Sequence, residues 1–252
     1  MFEKTGWHLE RAALAPETIE SAREFLSQRR ERLMQQFSEW VGSSDNDYGY
    51  HQTQLPLYEQ RGLPSDLRHY LTGEFDLETR LDEKITDILS TDGCREFLSG
   101  FLGSERYLVH YPPMIRFKVA NAPSNLVPVH QDLAYNRHLK NFVTVWVPLT
   151  DLTEDCGGVI VYEGSHVLDL LDHKASGAWA EKAETDLTQF PARHILMNTG
   201  DALLFAPTLL HQSAPHRARH ERYSVDFRIF PSADDTTKSY YDPFTKTVRR
   251  LH

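Results

Sequence analysis

The chain has little cysteine, only Cys94 and Cys156 among 252 residues. Two thiols cannot build a disulfide framework, and they suit a reducing cytosol. Basic charge is not in excess either. Twenty-seven Lys and Arg stand against 36 Asp and Glu, a net charge of −9, which argues against sequence-independent binding to nucleic acid through a basic surface. No apolar run approaches the ~20 residues needed to span a bilayer. The first residues, Met1-Phe2-Glu3-Lys4, lack the basic segment and apolar core of a secretory signal. Internal repeats and low-complexity tracts are also missing. These absences leave a cytoplasmic protein, with no nucleic-acid or membrane partner, as the expectation; oligomeric state is not written in the pattern.

What is present is a helical pattern followed by a β pattern. Apolar content of 40% and charged content of 25% are ordinary for a folded domain. The expected organisation is one domain over 1–252, with a mainly helical part (1–104), a β core (105–232) and a C-terminal extension (233–252). Ala15-Pro16-Glu17-Thr18 reads as a helix start. Ile19, Ala22, Phe25, Leu26, Leu33 and Phe37 then recur at helical spacing as far as Val41, before the stop at Gly42. Shorter helices are expected near 65–72, 77–89 and 92–102. The polar stretch 43–60 reads as a loop, with Tyr48, Tyr50 and His51 as lid candidates. After Ser104 come short runs rich in β-branched and aromatic residues: 106–109, 114–119, 142–147, 158–162, 202–205 and 223–229. Gly, Pro and Asn turns separate them, Asn198-Thr199-Gly200-Asp201 most clearly. Such strands suggest a β-sandwich or jelly roll. Residues 168–191 form a long polar insertion, either a functional lid or a surface helix without a role.

His130-Gln131-Asp132 and the distant His211 carry the chemistry. Alternate side chains of an extended segment point the same way, so His130 and Asp132 can reach one ion while Gln131 points elsewhere. Two imidazoles and one carboxylate occupy one face of an octahedral metal and leave the opposite face open, an arrangement that favours non-haem Fe(II). One H-x-D among thirteen histidines is weak by itself; its neighbours strengthen it. Arg222 lies eleven residues beyond His211 and opens a strand that alternates cleanly. Tyr223, Val225, Phe227 and Ile229 form one face; Arg222, Ser224, Asp226 and Arg228 form the other. If the polar face turns inward, the Arg222 fork can bind a carboxylate through two parallel hydrogen bonds. Asp226 and Arg228 then pair with each other or meet a polar substrate. Phe142, Thr144 and Trp146 share one face of an earlier strand by the same rule. His166 reads as structural, and His216 and His220 as solvent-exposed.

From Tyr107 to Pro231 the chain resembles the phytanoyl-CoA dioxygenase family of Fe(II)- and 2-oxoglutarate-dependent oxygenases. The resemblance rests on His130-Gln131-Asp132, Trp146-Val147-Pro148-Leu149, Cys156-Gly157-Gly158, Glu163-Gly164-Ser165-His166, Gly200-Asp201, His211-Gln212-Ser213 and Arg222. It implies a double-stranded β-helix of jelly-roll type preceded by helices, a mainly β fold with flanking α. It implies His130, Asp132 and His211 as iron ligands, and Arg222, helped by Ser213, as the holder of the far carboxylate of 2-oxoglutarate. It places Gln131 and Trp146 in the co-substrate pocket, and matches Lys118 to a basic residue there; Ser224 and Thr144 join the set as inward-facing neighbours. Arg228, Asp226, Tyr135 and Asn136 are expected to face substrate. The chain departs from the resemblance at Ala214-Pro215. The implied reaction uses Fe(II), 2-oxoglutarate and O2 to hydroxylate an unactivated C–H bond of a small, polar molecule, releasing succinate and CO2. Asp132 weighs against a halogenase, which needs a small residue at that position. Two other readings stay open at this point: a non-catalytic binding module, and a cupin-like metal-dependent isomerase or hydrolase.

Overall fold

The computed structural model describes residues 2–43, 47–120, 122, 126–176, 180–232 and 239–249. A single helical turn, α1 (Phe2–Thr5), leads into strand β1 (Trp7–Glu10) and then into the long helix α2 (Pro16–Val41). Pro16 suits the first turn because its missing N–H forfeits no intrahelical bond there. Gly42 ends the helix at φ 73°, a left-handed conformation, with its N–H donating to the Ser38 carbonyl. Ile19, Ala22, Leu26, Leu33 and Phe37 make one buried stripe. Arg30 falls in the same stripe, neutralised by Glu221 at 2.6 Å and lying over the Phe117 ring.

Residues 47–60 differ from expectation. They form two short helices, α3 (Tyr48–Thr53) and α4 (Leu55–Gln60), rather than a loop. Asp47 caps α3 by accepting from the Tyr50 N–H. Polar composition disguised packing: Tyr48, His51, Gln52 and Tyr58 are buried. Their polar atoms are satisfied internally, with the Tyr48 hydroxyl donating to the Tyr70 carbonyl and the Gln52 amide to the Leu71 carbonyl. Tyr48 and His51 therefore belong to the helical layer and are not lid residues. Neither they nor Tyr50 line the cavity described below. Residues 44–46 of the expected loop lie outside the described set.

Helices α5 (Ser65–Thr72) and α8 (Asp92–Leu102) fall where expected, whereas the helix expected over 77–89 is broken into α6 (Leu77–Arg80), α7 (Glu83–Thr86) and a 3-10 turn, Asp87–Leu89. Twelve further strands follow: β2 (Tyr107–His110), β3 (Met114–Lys118), β4 (Val143–Pro148), β5 (Val159–Tyr162), β6 (His173–Ser176), β7 (Ala180–Ala183), β8 (Ala192–Ile195), β9 (Ala202–Phe205), β10 (His211–Ser213), β11 (Arg222–Pro231), β12 (Tyr240–Asp242) and β13 (Thr247–Arg249). The larger sheet has the order β1-β9-β4-β11-β2-β12-β13, with β3 also on β11; the smaller has the order β10-β5-β8. All pairs are antiparallel. The helical N-terminal part thus contributes an edge strand, β1, and the C-terminal extension continues the sheet as β12 and β13. The insertion 168–191 holds a hairpin, β6–β7, in place of the lone surface helix considered from sequence; residues 177–179 lie outside the described set.

The two sheets form a jelly roll with a cavity between them. The larger sheet's outer face is closed by helices: Ile19, Leu26, Leu33 and Phe37 share one core with Val145, Val147, Val225, Phe227 and Ile229. Burying an apolar side chain on this scale stabilises by about 1.5–3 kcal/mol, so α2 is part of the barrel's support. Leu26→Ala is expected to lower unfolding free energy by about 2–5 kcal/mol, measured by chemical denaturation. A loss below about 1 kcal/mol would mean that α2 does not close this core.

Candidate metal centre and anion pocket

His130, Asp132 and His211 present ligand atoms that all lie within 4.8 Å of one another. The chain brings them together by two local devices. Gln131 is extended at φ −115° and ψ 132°, so its neighbours point to one side. His130 then pairs with His211 across an antiparallel bridge, each N–H donating to the other's carbonyl at 3.0 and 3.1 Å. Asp132 begins a 3-10 turn, Asp132–Ala134, that carries the chain away from the site.

The imidazoles are fixed from behind. His130 Nδ1 bonds the Pro128 carbonyl at 2.8 Å and His211 Nδ1 the Leu209 carbonyl at 3.0 Å. Carbonyls accept only, so each ring donates from Nδ1 and turns Nε2 to the centre. These two Nε2 atoms lie 3.7 and 4.0 Å from Asp132 Oδ1. Burial pushes His211 down to about 3, with the neighbouring His130 ring adding to the effect; at neutral pH it is an uncharged ligand. Burial by itself would raise Asp132, yet the Arg228 charge and the two histidines hold it well below the usual carboxylate range. Arg228 Nη2 donates to Asp132 Oδ1 at 2.9 Å, and the Thr144 hydroxyl donates to Oδ2. Both carboxylate oxygens are thereby oriented. The donor set, two imidazoles and one ionised carboxylate on one side of a cavity, suits a divalent transition ion with open positions.

A cavity of about 370 Å³ opens beside these ligands, lined by both sheets. The polar face of β11 points into it: Arg222, Ser224, Asp226 and Arg228 are all lining residues. Arg222 is 2% exposed and has no carboxylate partner among the described residues. Its Nη1 donates to Ser224 Oγ at 2.7 Å, its guanidinium lies over the Trp146 ring at 5.4 Å, and its Nε has no hydrogen-bond partner. Burial pushes it down to about 10, so it stays charged. A buried cation with a free donor is costly unless an anion joins it; this pocket fits a carboxylate. Ser213 also lines the cavity, and its hydroxyl accepts from the Val127 N–H, tying the loop before His130 to β10.

Other sequence expectations fall differently. Gln131 is fully buried and points away from the cavity. Its amide donates to the Asp169 and Thr208 carbonyls and accepts from the Leu171 N–H. The alternation that aims both ligands inward turns Gln131 outward, so it is an anchor, not a pocket wall. Lys118 stands opposite Arg222 in the β3–β11 register and is buried, but it does not line the cavity. Burial, then the Arg222 charge, lowers it well below the ordinary lysine value. Thr144 lines the cavity but spends its hydroxyl on Asp132. Arg228 pairs with Asp132 and not with Asp226. Asp226 keeps one oxygen without a partner and is raised by burial. Asn136 is buried with its amide donating to the Asp132 carbonyl, and Tyr135 stands half-exposed at the rim, its ring 5.7 Å from that of His130. His216, expected in solvent, is buried and bonded to the His220 carbonyl.

Sequence reasoning missed Glu74, Arg80 and Arg116, which also line the cavity. Arg116 was legible: Met114, Arg116 and Lys118 alternate with Ile115 and Phe117 as the residues of β11 do. Glu74 and Arg80 come from the helical part and left no such signal.

Thr144→Val, which keeps shape and removes the donor, is expected to weaken divalent-metal binding about 10- to 100-fold, measured by calorimetry with Mn(II). Unchanged affinity would mean that Asp132 needs no help from β4.

The model of the phytanoyl-CoA dioxygenase (PhyH) family matches residues 2–224. The 1-deoxypentalenic acid 11-beta-hydroxylases of Streptomyces exfoliatus and Streptomyces arenae are 31% and 30% identical over 143 and 138 residues, 50% of this chain and 49% of theirs in both cases. The chain thus spans about half the length of the curated relatives it matches. Among solved structures, the non-heme monooxygenase ThoJ superposes with a TM-score of 0.62 at 18% identity, covering 96% of this chain and 82% of that one. EctD from S. alaskensis, solved with 2-oxoglutarate and 5-hydroxyectoine, gives 0.60 at 12% identity, covering 94% and 76%. At these identities the structures establish the shared fold. With nearly the whole length matched by the family model, the chain belongs to the phytanoyl-CoA dioxygenase family.

Proposed function

We propose that the protein is an Fe(II)- and 2-oxoglutarate-dependent dioxygenase that hydroxylates an unactivated C–H bond of a small molecule. The observation that carries this reading is the charged, buried Arg222, which has no carboxylate partner among the described residues and shares a cavity with the two-histidine, one-carboxylate set. Iron(II) held by His130, Asp132 and His211, with 2-oxoglutarate and O2, supplies an oxidant for C–H bonds and yields succinate and CO2.

The chain's own residues divide the remaining work. Arg222 binds the distal carboxylate of the keto acid, with Ser224 holding the guanidinium in plane and Trp146 beneath it. Thr144 and Arg228 keep Asp132 ionised and oriented. The apolar walls, Val159 and Phe205 among them, restrict water near the ligands. Hydroxylation is the outcome assigned because the curated relatives are named as hydroxylases, and Asp132 retains the carboxylate that a halogenase lacks. A metal-dependent hydrolase or isomerase would have no use for the unpaired Arg222.

Anaerobic protein given Fe(II) and 2-oxoglutarate is expected to show a visible chelate band, and in air to release succinate. Arg222→Ala is expected to weaken 2-oxoglutarate binding by about 2–5 kcal/mol, roughly thirty- to several-thousand-fold, read from titration of that band. Asp132→Ala is expected to remove the band and turnover. Normal succinate release by Asp132→Ala, or unchanged 2-oxoglutarate affinity in Arg222→Ala, would sink the reading.

A further inference from the structure

Four arginines line the cavity: Arg80, Arg116, Arg222 and Arg228. Two are neutralised within the protein. Arg116 donates to Glu74 at 2.6 Å and Arg228 to Asp132 at 2.9 Å. The other two have no carboxylate at ion-pair distance among the described residues. Arg222 is assigned above to the co-substrate. Arg80 has no counterpart yet.

Arg80 is the last residue of α6. Its Nε donates to the Pro113 carbonyl at 2.7 Å and its Nη2 approaches the Pro112 carbonyl at 3.5 Å. Two neutral carbonyls aim the fork but do not cancel its charge. Arg80 is half-buried, and burial disfavours a cation at this spot; the Glu74 charge offsets part of that, the positive charges of Arg116 and Arg228 add to it, and Asp226 offsets it least. Glu74 is already taken by Arg116. An anion entering the cavity would relieve this site.

The two arginines are anchored at opposite ends of β3. Arg222 sits opposite Lys118, at the end of β3, whereas Arg80 grips the carbonyl just before Met114, at its start. Roughly 13 Å of strand separates these anchor points. Arg80 lies toward Met114 and Asp226, the end of the β11 face next to Arg228 and the metal ligands.

We propose that the substrate is a carboxylic acid whose anion docks on Arg80, leaving its carbon skeleton to lie across the cavity toward His130 and Tyr135. This rests on the functional reading above and adds a substrate class to it. Arg80 is then a specificity-determining residue: it favours an acid over the isosteric neutral amide.

The test uses anaerobic protein with Fe(II) and saturating 2-oxoglutarate. Three acids, octanoate, cyclohexanecarboxylate and adamantane-1-carboxylate, and their primary amides are titrated while the chelate band is followed. At least one acid is expected to perturb the band with an affinity about tenfold or more above its amide. Arg80→Gln is expected to abolish that preference, with 2-oxoglutarate affinity held within about twofold. Arg80→Lys, which keeps the charge but loses the fork, is expected to retain part of it. Absence of acid preference in all three pairs overturns the proposal, as does a preference that survives in Arg80→Gln. Should Arg80→Gln not fold, the wild-type pairs and Arg80→Lys decide. Failure of the chelate band to form before any probe is added would instead refute the functional reading.

Discussion

Strand β11 is buried on both faces, and the site follows from that constraint. Strands covered on both sides are ordinarily apolar throughout. Here one face, Tyr223, Val225, Phe227 and Ile229, packs into the core shared with the N-terminal helices, while the other, Arg222, Ser224, Asp226 and Arg228, borders the cavity. Alternation makes the two faces inseparable. The helices must cover the apolar row for the strand to present a polar row inward, and the polar row must find its partners inside the barrel because little water reaches it. Some partners are built in, as Ser224 is for Arg222 and Asp132 for Arg228. Others are not found among the described residues. Arg222 Nε, Asp226 Oδ1 and Arg228 Nε are buried without hydrogen-bond partners, and each such group costs about 1–3 kcal/mol when left unmade. The folded protein carries this deficit, and ligands that supply the missing partners are bound the more tightly for it.

Much of this was legible in the sequence, for a reason that also marks where legibility ends. Periodicity reports on local geometry, so α2 emerged from its 3–4 spacing and β11 from its alternation. The ligands emerged because H-x-D imposes a common side on two residues whatever surrounds them. Residues 47–60 were misread because their polar side chains are satisfied by distant backbone, the Tyr70 and Leu71 carbonyls among it, and no local pattern records that. Gln131 was placed in the pocket by resemblance, although the alternation that orients its neighbours turns it outward. Arg80 and Glu74 were invisible for a third reason. They lie at or beside very short helical segments whose position against β3 depends on tertiary packing alone, including the bridge between Glu74 and Arg116.

The candidate metal ligands illustrate how residues far apart in sequence acquire a fixed spacing. His130 and His211 are joined through two backbone hydrogen bonds, so their Cα separation is set by the sheet and not by side-chain torsion. Gln131 reinforces this from the opposite side. Its single side chain ties the segment carrying His130 and Asp132 to Thr208, three residues before His211, and to Asp169 and Leu171 in the insertion. The same insertion returns through the Ala183 N–H to the Val129 carbonyl. The stretch 168–191 is therefore attached at both ends to the backbone that holds the metal ligands. That attachment gives it a structural role without any of its described side chains lining the cavity.

Electrostatics then ranks the interactions inside the cavity. A carboxylate buried as deeply as Asp132 would ordinarily be pushed toward its neutral form. The Arg228 charge and the two imidazoles reverse that tendency. Arg228 is thus tied to the metal side of the cavity with its charge already paired and only Nε left over, while Arg116 is tied to Glu74. What remains among the described residues lining the cavity is one guanidinium without a carboxylate partner toward each end of β3. One matches the far carboxylate of a keto acid; the other calls for a second anion, and the walls between them decide which carbon is presented to the metal.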